Sequence, residues 1–473
     1  MEYYRDLFQN KKNEKELVMK NTYELNELLH KYGIREDLRS QFIGTCLLAL
    51  KSGLMYDERM ETSQIISGIE DKLSILLKDT FNKAEKVIIL NKKVLDIQDI
   101  KSLESKNLIN ILNFVKEKIL PFINDRSKAG QDILNLFFTT FNKYVGKKDK
   151  NQAFTPDHIV HFMSQICEIN RNSRVLDPCC GSGAFLVRAM VDAINDCEND
   201  QCIANIKKEQ IYGIEYEEKA FGLATTNMLI HGDGNSNIYQ KNCFDVSDDE
   251  WKKWDINVVL MNPPYNAQKK HSYPIYAKTW DSNKKQDPSK GFHFVEFIAS
   301  KVNKGIMAVL LPTACAIGGK NKDILKYKKK MLENHTLKAV FSLPQEIFYP
   351  GASASACCMV FELGKPHKSR KIKETFFGYY KDDGFTKKKN IGRVEKIIDG
   401  KSAWDSIEKE WLDLYFRNEE VPGLSIIKEV DYNDEWLAEA YMETDYSKLT
   451  ENDFIKTIRD FISFKIKNGE LDE

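Results

Sequence analysis

The sequence predicts an α/β protein with a parallel sheet at its centre, a helical domain before it and a helical tail after it. Three observations lead there. Near-continuous apolar runs, the mark of strands buried on both faces, begin after residue 146 and alternate with helical segments. Before about residue 145 the only proline is Pro121, and apolar residues recur at helical spacing, as in Leu25, Leu28, Leu29, Tyr32 and in Phe42, Cys46, Leu50. Third, residues 175–186 read as a strand, a glycine turn and a helix start, the layout of a nucleotide-type cofactor site at the carboxyl edge of an α/β sheet. The expected division is a helical N-terminal domain over 1–145, a sheet-bearing domain over 146–365, and a basic segment with a helical, partner-binding tail over 366–473.

A chain of 473 residues exceeds one ordinary core, so two or three domains are expected. No stretch approaches the roughly 18–20 apolar residues that span a bilayer, and the N-terminus lacks a signal-peptide core, so the expectation is a cytoplasmic protein with no membrane partner. The ten cysteines show no zinc spacing and are expected to be reduced, mostly buried thiols, with no metal site. Seventy basic residues balance seventy acidic ones, which argues against a free-standing, non-specific nucleic-acid binder. The distribution is uneven. Residues 320–330 carry six lysines against one aspartate, 365–393 carry ten Lys/Arg against three acids, and 402–473 carry 19 acids against eight bases. Most charge runs are solvated faces, yet a basic middle and an acidic tail suit a subunit that meets phosphates with one region and a partner with another.

The candidate strands are 174–177, 210–215, 256–261, 305–311 and 337–341, and helix is expected again in the tail, at Asp434–Met442 and Glu451–Ile466. In the glycine turn, Gly181 and Gly183 allow the backbone close to a ligand around Ser182. A dinucleotide site wants G-x-G-x-x-G, but position 186 is Leu, and Asp177 sits at the strand end. An acid there favours a cationic ligand over a pyrophosphate. This tilts the reading from NAD toward S-adenosyl-L-methionine, whose amino and sulfonium groups are positive. Glu215 ends the next candidate strand, 38 residues on, where it can accept both ribose hydroxyls of an adenosine. Asn242 is placed to bond the adenine amino group at the far end of the pocket.

After the 256–261 run comes Asn262-Pro263-Pro264-Tyr265. The two prolines fix two φ angles and keep the segment out of the helical region. The Asn262 carboxamide and nearby carbonyls are thereby held as acceptors for an exocyclic NH2, with the Tyr265 face beside them. A plain strand-ending turn accounts for the tetrapeptide equally well when it is taken alone.

Taken in order, Asp-Pro-x-x-Gly-x-Gly-x-Phe, Glu215 and Asn-Pro-Pro-Tyr resemble the amino-methyltransferases that methylate adenine N6 in DNA, and more closely the modification subunit of type I restriction-modification systems and type I-like enzymes. Phe154-Thr155-Pro156 is similar to the family's Phe/Tyr-Thr-Pro element, and Leu310-Leu311-Pro312 and the segment Leu343 to Phe348 are similar to further elements. Asp383-Gly384-Phe385 near Gly392-Arg393 extends the likeness beyond them. The resemblance implies a Rossmann-like, S-adenosylmethionine-dependent methyltransferase core. It implies that Thr155 holds the cofactor's methionine carboxylate, Asp177 its amino group and Glu215 its ribose, and that Asn262 to Tyr265 clamp a flipped adenine, with Phe348 a candidate second stacking ring. Asn242 departs from the Asp of many relatives, and Cys243 from an apolar residue. Double-stranded DNA, a separate specificity subunit, two modification subunits per complex and an accompanying restriction subunit are the partners the resemblance suggests. The sequence has no Gly-x-x-x-x-Gly-Lys-Ser/Thr element, so ATP-driven translocation and cleavage are expected of another chain. The competing readings are methylation of a protein glutamine amide and a non-catalytic subunit that keeps the cofactor pocket for structure alone.

Overall fold

The computed structural model describes residues 17–18, 20–78, 86–123, 155–231, 237–281, 283–349, 354–367, 374–388, 392–398, 400–442 and 450–467. The expected strands form where the apolar runs stand: β1 (Val175–Asp177), β2 (Ile211–Glu215), β4 (Val258–Met261), β5 (Ile306–Pro312) and β6 (Thr336–Ser342). To these are added β3 (Asn237–Gln240), β7 (Ala356–Glu362), β8 (Glu374–Tyr379) and β13 (Ser425–Glu429), giving one nine-stranded sheet. Two short hairpins, β9 (Phe385–Lys388) with β10 (Gly392–Glu395) and β11 (Ile397–Ile398) with β12 (Lys401–Ser402), stand outside it.

From one edge the strand order is β3-β2-β1-β4-β5-β7-β6-β8-β13. The β3 to β5 half is parallel, as expected, but β7 runs antiparallel to both β5 and β6, and β13 antiparallel to β8. The sheet is therefore mixed, a correction to the all-parallel expectation. The segment joining β6 to β7 carries no helix among its described residues, so the chain turns straight back beside β6, whereas a parallel neighbour needs a crossover. Alternation along the central strands shows both faces covered: Val258 and Leu260 join one apolar core, Val259 and Met261 the other.

The sheet continues past residue 365. β8 and β13 hydrogen-bond into it, and the helix Ala403–Arg417 buries Trp404, Trp411 and Leu414 in the core against one sheet face. Asp434–Met442 is not a helix. Trp436 is buried, with its main-chain N–H on the Ala316 carbonyl and its indole N–H on Asp431 O, which pins the segment in extended form with one short turn at Ala438–Ala440. The N-terminal region is helical where described, its core built from helices including Glu36–Lys51, Thr62–Leu76 and Ser105–Lys118. It packs on the sheet domain through the helix Glu218–Ile230, whose Leu223 and Leu229 belong to the same core.

Eight cysteines are free thiols and all but the half-buried Cys179 are buried. Cys197 and Cys202 depart from the expectation. They are disulfide-bonded, because the chain turns between the helices Ala184–Asn195 and Asp200–Glu209 and leaves their Cα atoms 5.7 Å apart. No described helix is long and apolar enough to cross a membrane.

Candidate active site

The chain lays β1, β2 and β3 to one side and then returns to lay β4 and β5 on the other, so the order reverses between β1 and β4. Ligands bind at such a reversal, outside the carboxyl ends of the strands. Asp177, Glu215 and Asn262 stand at or just beyond the carboxyl ends of β1, β2 and β4.

Asp177 is 2% exposed and accepts the Cys179 main-chain N–H at 3.1 Å. Burial pushes its carboxyl well above the usual range, the Cys179 bond pulls it back and the Glu215 charge raises it further. Glu215 accepts from the N–H groups of Gly181 at 2.9 Å and Glu217 at 2.8 Å, and burial raises it too. Among the described residues neither acid has a salt-bridge partner. A buried carboxylate and a half-buried one sharing a crevice without a cation are costly, and a positively charged ligand removes the cost. The amino and sulfonium groups of S-adenosylmethionine meet that requirement, so the residues present fit this cofactor.

Gly181 and Gly183 carry φ of 52° and 80°, the left-handed region, and Gly183 caps the helix Ala184–Asn195. The turn is fastened by Asn227, whose side chain donates to the Ser182 carbonyl at 3.1 Å. Asn242 follows β3 at the same edge. Its side-chain oxygen accepts from Phe244 N at 3.2 Å, capping a short turn and leaving one lone pair beyond that bond.

Thr155 and Asn262, 107 residues apart, meet directly: the Asn262 amide nitrogen donates to Thr155 Oγ1 at 3.1 Å. Pro156 caps the helix Asp157–Ile166; Phe154 lies outside the described residues. The Asn262 carboxamide oxygen accepts the Tyr265 hydroxyl at 2.8 Å, and burial pushes that phenol well above its ordinary value, so it stays protonated. Phe348 lies edge-on to Tyr265, ring centroids 6.3 Å apart. Pro263 is buried and Pro264 exposed.

The sequence profile of the N-6 DNA methylases matches residues 129–463. The chain belongs to the N-6 DNA methylase family. Among its relatives in that family, the type II restriction enzyme and methyltransferase RM.BcgI of Heyndrickxia coagulans is 32% identical over 345 residues, 72% of this chain and 50% of that protein. The type I restriction enzyme MjaVII methylase subunit of Methanocaldococcus jannaschii is 24% identical over 69% of this chain and 58% of that protein. The chain thus spans about half the length of these curated relatives. In fold it resembles a chain from a structure of the type I R-M system, with a TM-score of 0.62 at 14% identity over 96% of this chain and 97% of that one. It also resembles the type I restriction-modification system methyltransferase subunit of Streptococcus thermophilus, with a TM-score of 0.52 at 17% identity over 93% and 99%.

Two groups behind the candidate site were given no role in the sequence reading. Asp287, 1% exposed, accepts from the main-chain N–H of Ser289 at 2.8 Å and of Gly291 at 2.6 Å, and pairs with His293 Nδ1 at 3.0 Å. Burial alone would raise its carboxyl, but the His293 and main-chain bonds outweigh it and hold it low. Gly291 in turn leans on the clamp, since a Cβ built there would lie 3.3 Å from Pro263 Cγ and 3.5 Å from the Pro264 carbonyl. The second group is Asp383, held by His158 at 2.9 Å and by both Arg393 nitrogens at 2.6 Å, which ties the β9–β10 hairpin to the helix that follows Pro156. The Asx chemistry of Asp287-Pro288-Ser289 is a sequence signal for the first group; of the second, Asp383 and Arg393 lie in segments noted for their family likeness, and His158 is the partner that no local signal marks.

Proposed function

We propose that this chain transfers a methyl group from S-adenosylmethionine to the N6 atom of a flipped-out adenine in double-stranded DNA, as the modification subunit of a restriction-modification system. The observation that carries the reading is the bond from Asn262 to Thr155, which joins the amide clamp to the cofactor element near the Asp177 and Glu215 carboxylates.

When bound, S-adenosylmethionine supplies an electrophilic methyl group. Asp177 and Glu215 orient it through its amino group and ribose, with Thr155 at its carboxylate and Asn242 toward its adenine. The exocyclic nitrogen of adenine is a weak nucleophile because its lone pair is delocalised into the ring. Accepting its two N–H hydrogens at the Asn262 carboxamide oxygen and the Pro263 carbonyl localises that lone pair toward the methyl group. In-line transfer then rests on alignment more than on acid–base help. Duplex DNA buries this nitrogen, so the base must leave the stack, and stacking on Tyr265 offsets part of an unpairing cost of a few kcal/mol.

The choice of DNA site is assigned to a separate specificity subunit. The helix Glu451–Lys467 supports this: Phe454, Ile458, Phe461 and Ile462 follow helical spacing and are each about half exposed. Such a stripe suits a partner helix laid along it.

Labelled methyl transfer from S-adenosylmethionine to duplex DNA, by the full chain purified with its copurifying partners, tests the assignment. Wild-type transfer with loss of most activity in Asn262→Ala supports it. Normal turnover by that variant, or label recovered only in protein, overturns it.

A further inference from the structure

Part of the charge in the two basic runs of the sequence is taken up within the fold among the described residues. In 320–330, Lys328 is buried with its ammonium on the Ala316 and Asp434 carbonyls, Lys329 faces Glu333, and Lys330 faces Glu296. In 365–393, Lys365, Lys381, Lys387 and Arg393 are paired with Glu362, Glu439, Glu346 and Asp383.

Uncompensated positive charge collects elsewhere, on the loop between the clamp and the next helix. Residues 266–290 hold six lysines and two aspartates, and one of the two is the buried Asp287. The loop is closed at its stem, where Gln268 bridges Gln286 and the Asp287 N–H donates to the Ala267 carbonyl. Closure brings Lys269 and Lys270, just after Gln268, beside Lys284 and Lys285, just before Gln286. Asn321 donates to the Pro288 carbonyl at 3.0 Å and carries Lys320 and Lys322 to the same place. All six of these lysines are exposed, and among the described residues none has a salt-bridge partner. A shallow cleft of about 550 Å³ runs along Lys284, Lys285 and Asn321. Both ends of the loop are fastened to the clamp, by chain continuity at Tyr265 and by Gly291 against Pro263.

We propose that this loop, together with Lys320 and Lys322, is the surface that grips the phosphate backbone of DNA next to the flipped nucleotide. The inference rests on the DNA-methylation reading and adds where the duplex is held. A flipped base stays tethered to its strand, so the phosphates flanking it must pass close to the mouth of the clamp, where the free lysines stand. Phosphate contacts of this kind fix register and orientation without reading sequence, which agrees with a chain whose target is chosen by a partner.

The test compares the full-length chain with a Lys269→Ala, Lys270→Ala, Lys284→Ala, Lys285→Ala variant in binding a short labelled duplex over a range of salt. A Lys365→Ala, Lys387→Ala variant, which removes two lysines already paired with glutamates, serves as the control. Each lost phosphate contact lowers the slope of log affinity against log salt by about 0.9, so four lost contacts lower it by up to about 3.6. The control keeps the wild-type slope, and all three proteins bind S-adenosylmethionine equally. Equal slopes for wild type and the fourfold variant, or wild-type binding that ignores salt, overturn the proposal. Failure of the methylation reading shows separately, as absence of methyl transfer to DNA by the wild type.

Discussion

Replacing Asp287 tests whether the clamp depends on the loop packed behind it. Asp287→Ala strands the Ser289 and Gly291 N–H groups in a buried setting, at about 1–3 kcal/mol each, and removes the partner of His293. The expected loss is therefore about 3–5 kcal/mol, short of the whole stability of a typical domain. At about 2–4 °C per kcal/mol for domains of 150–250 residues, melting should fall by roughly 6–20 °C. Because Gly291 abuts Pro263 and Pro264, a loop that relaxes by about 1 Å shifts the clamp enough to cost on the order of 100-fold in methyl transfer. Asp287 touches neither Asp177 nor Glu215, so calorimetric affinity for S-adenosylmethionine stays at the wild-type value below the melting range. Asp287→Asn falls between the two, since either orientation of its amide turns an NH2 toward one of the two main-chain donors. Melting unchanged by the alanine variant, or methyl transfer at the wild-type rate despite reduced melting, refutes the reasoning.

Other perturbations give distinct readouts. Asp177→Ala weakens S-adenosylmethionine binding itself, and an unchanged affinity in a calorimetric titration removes Asp177 from the pocket. Asp383→Asn leaves Arg393 without its carboxylate and lowers stability by about 3–5 kcal/mol in thermal unfolding; because the same cluster holds the helix after Pro156, the KM for S-adenosylmethionine rises more than kcat falls. Lys328 is pushed down by burial from 10.5 to about 8. Between these values the unfolded chain binds a proton that the folded chain does not, so this lysine makes stability rise with pH across the window, by up to about 3 kcal/mol in all. Denaturant titrations of wild type and Lys328→Met at pH 7 and pH 10 should differ by that pH-dependent component, and parallel pH dependences count against it. Tyr265→Phe keeps the stacking ring while removing the hydroxyl from Asn262, so single-turnover methylation should stay within about tenfold of wild type, the span of one ordinary hydrogen bond; a loss as deep as that of Asn262→Ala would give the hydroxyl a larger role.

The parts legible in the sequence are those whose signals are local. Val258 to Met261 and Ile306 to Leu311 read as strands because burial on both faces leaves uninterrupted apolar runs. β8 and the edge strand β13 beside it, Glu374–Tyr379 and Ser425–Glu429, mix polar and apolar residues and look like loop. β7, Ala356–Glu362, is as apolar as its neighbours, but its direction is set by the link to β6, which composition does not encode. Asp434–Met442 has the spacing of a helix and lost it to the burial of Trp436. At the candidate site, Asp177, Glu215 and Asn262 were singled out because each was expected at a strand end, and each stands at or just beyond one. Asp287, Asn227 and Asp383 act through partners that only the folded chain assembles, and within the lysine-rich stretch 320–330 the fold pairs Lys329 and Lys330 while leaving Lys320 and Lys322 exposed.

The Tyr265 hydroxyl donates to the Asn262 oxygen, the atom proposed above to accept from an incoming amino group, so under that proposal the acceptor is occupied before any base arrives. Under the same proposal, entry of adenine exchanges one donor for another on that oxygen, and the number of hydrogen bonds at the atom need not change. Without that donor, the half-buried carboxamide oxygen would turn to water or to a neighbouring donor. A tyrosine already in place holds the carboxamide at rest, and the ring that supplies this donor is the ring proposed to stack on the base.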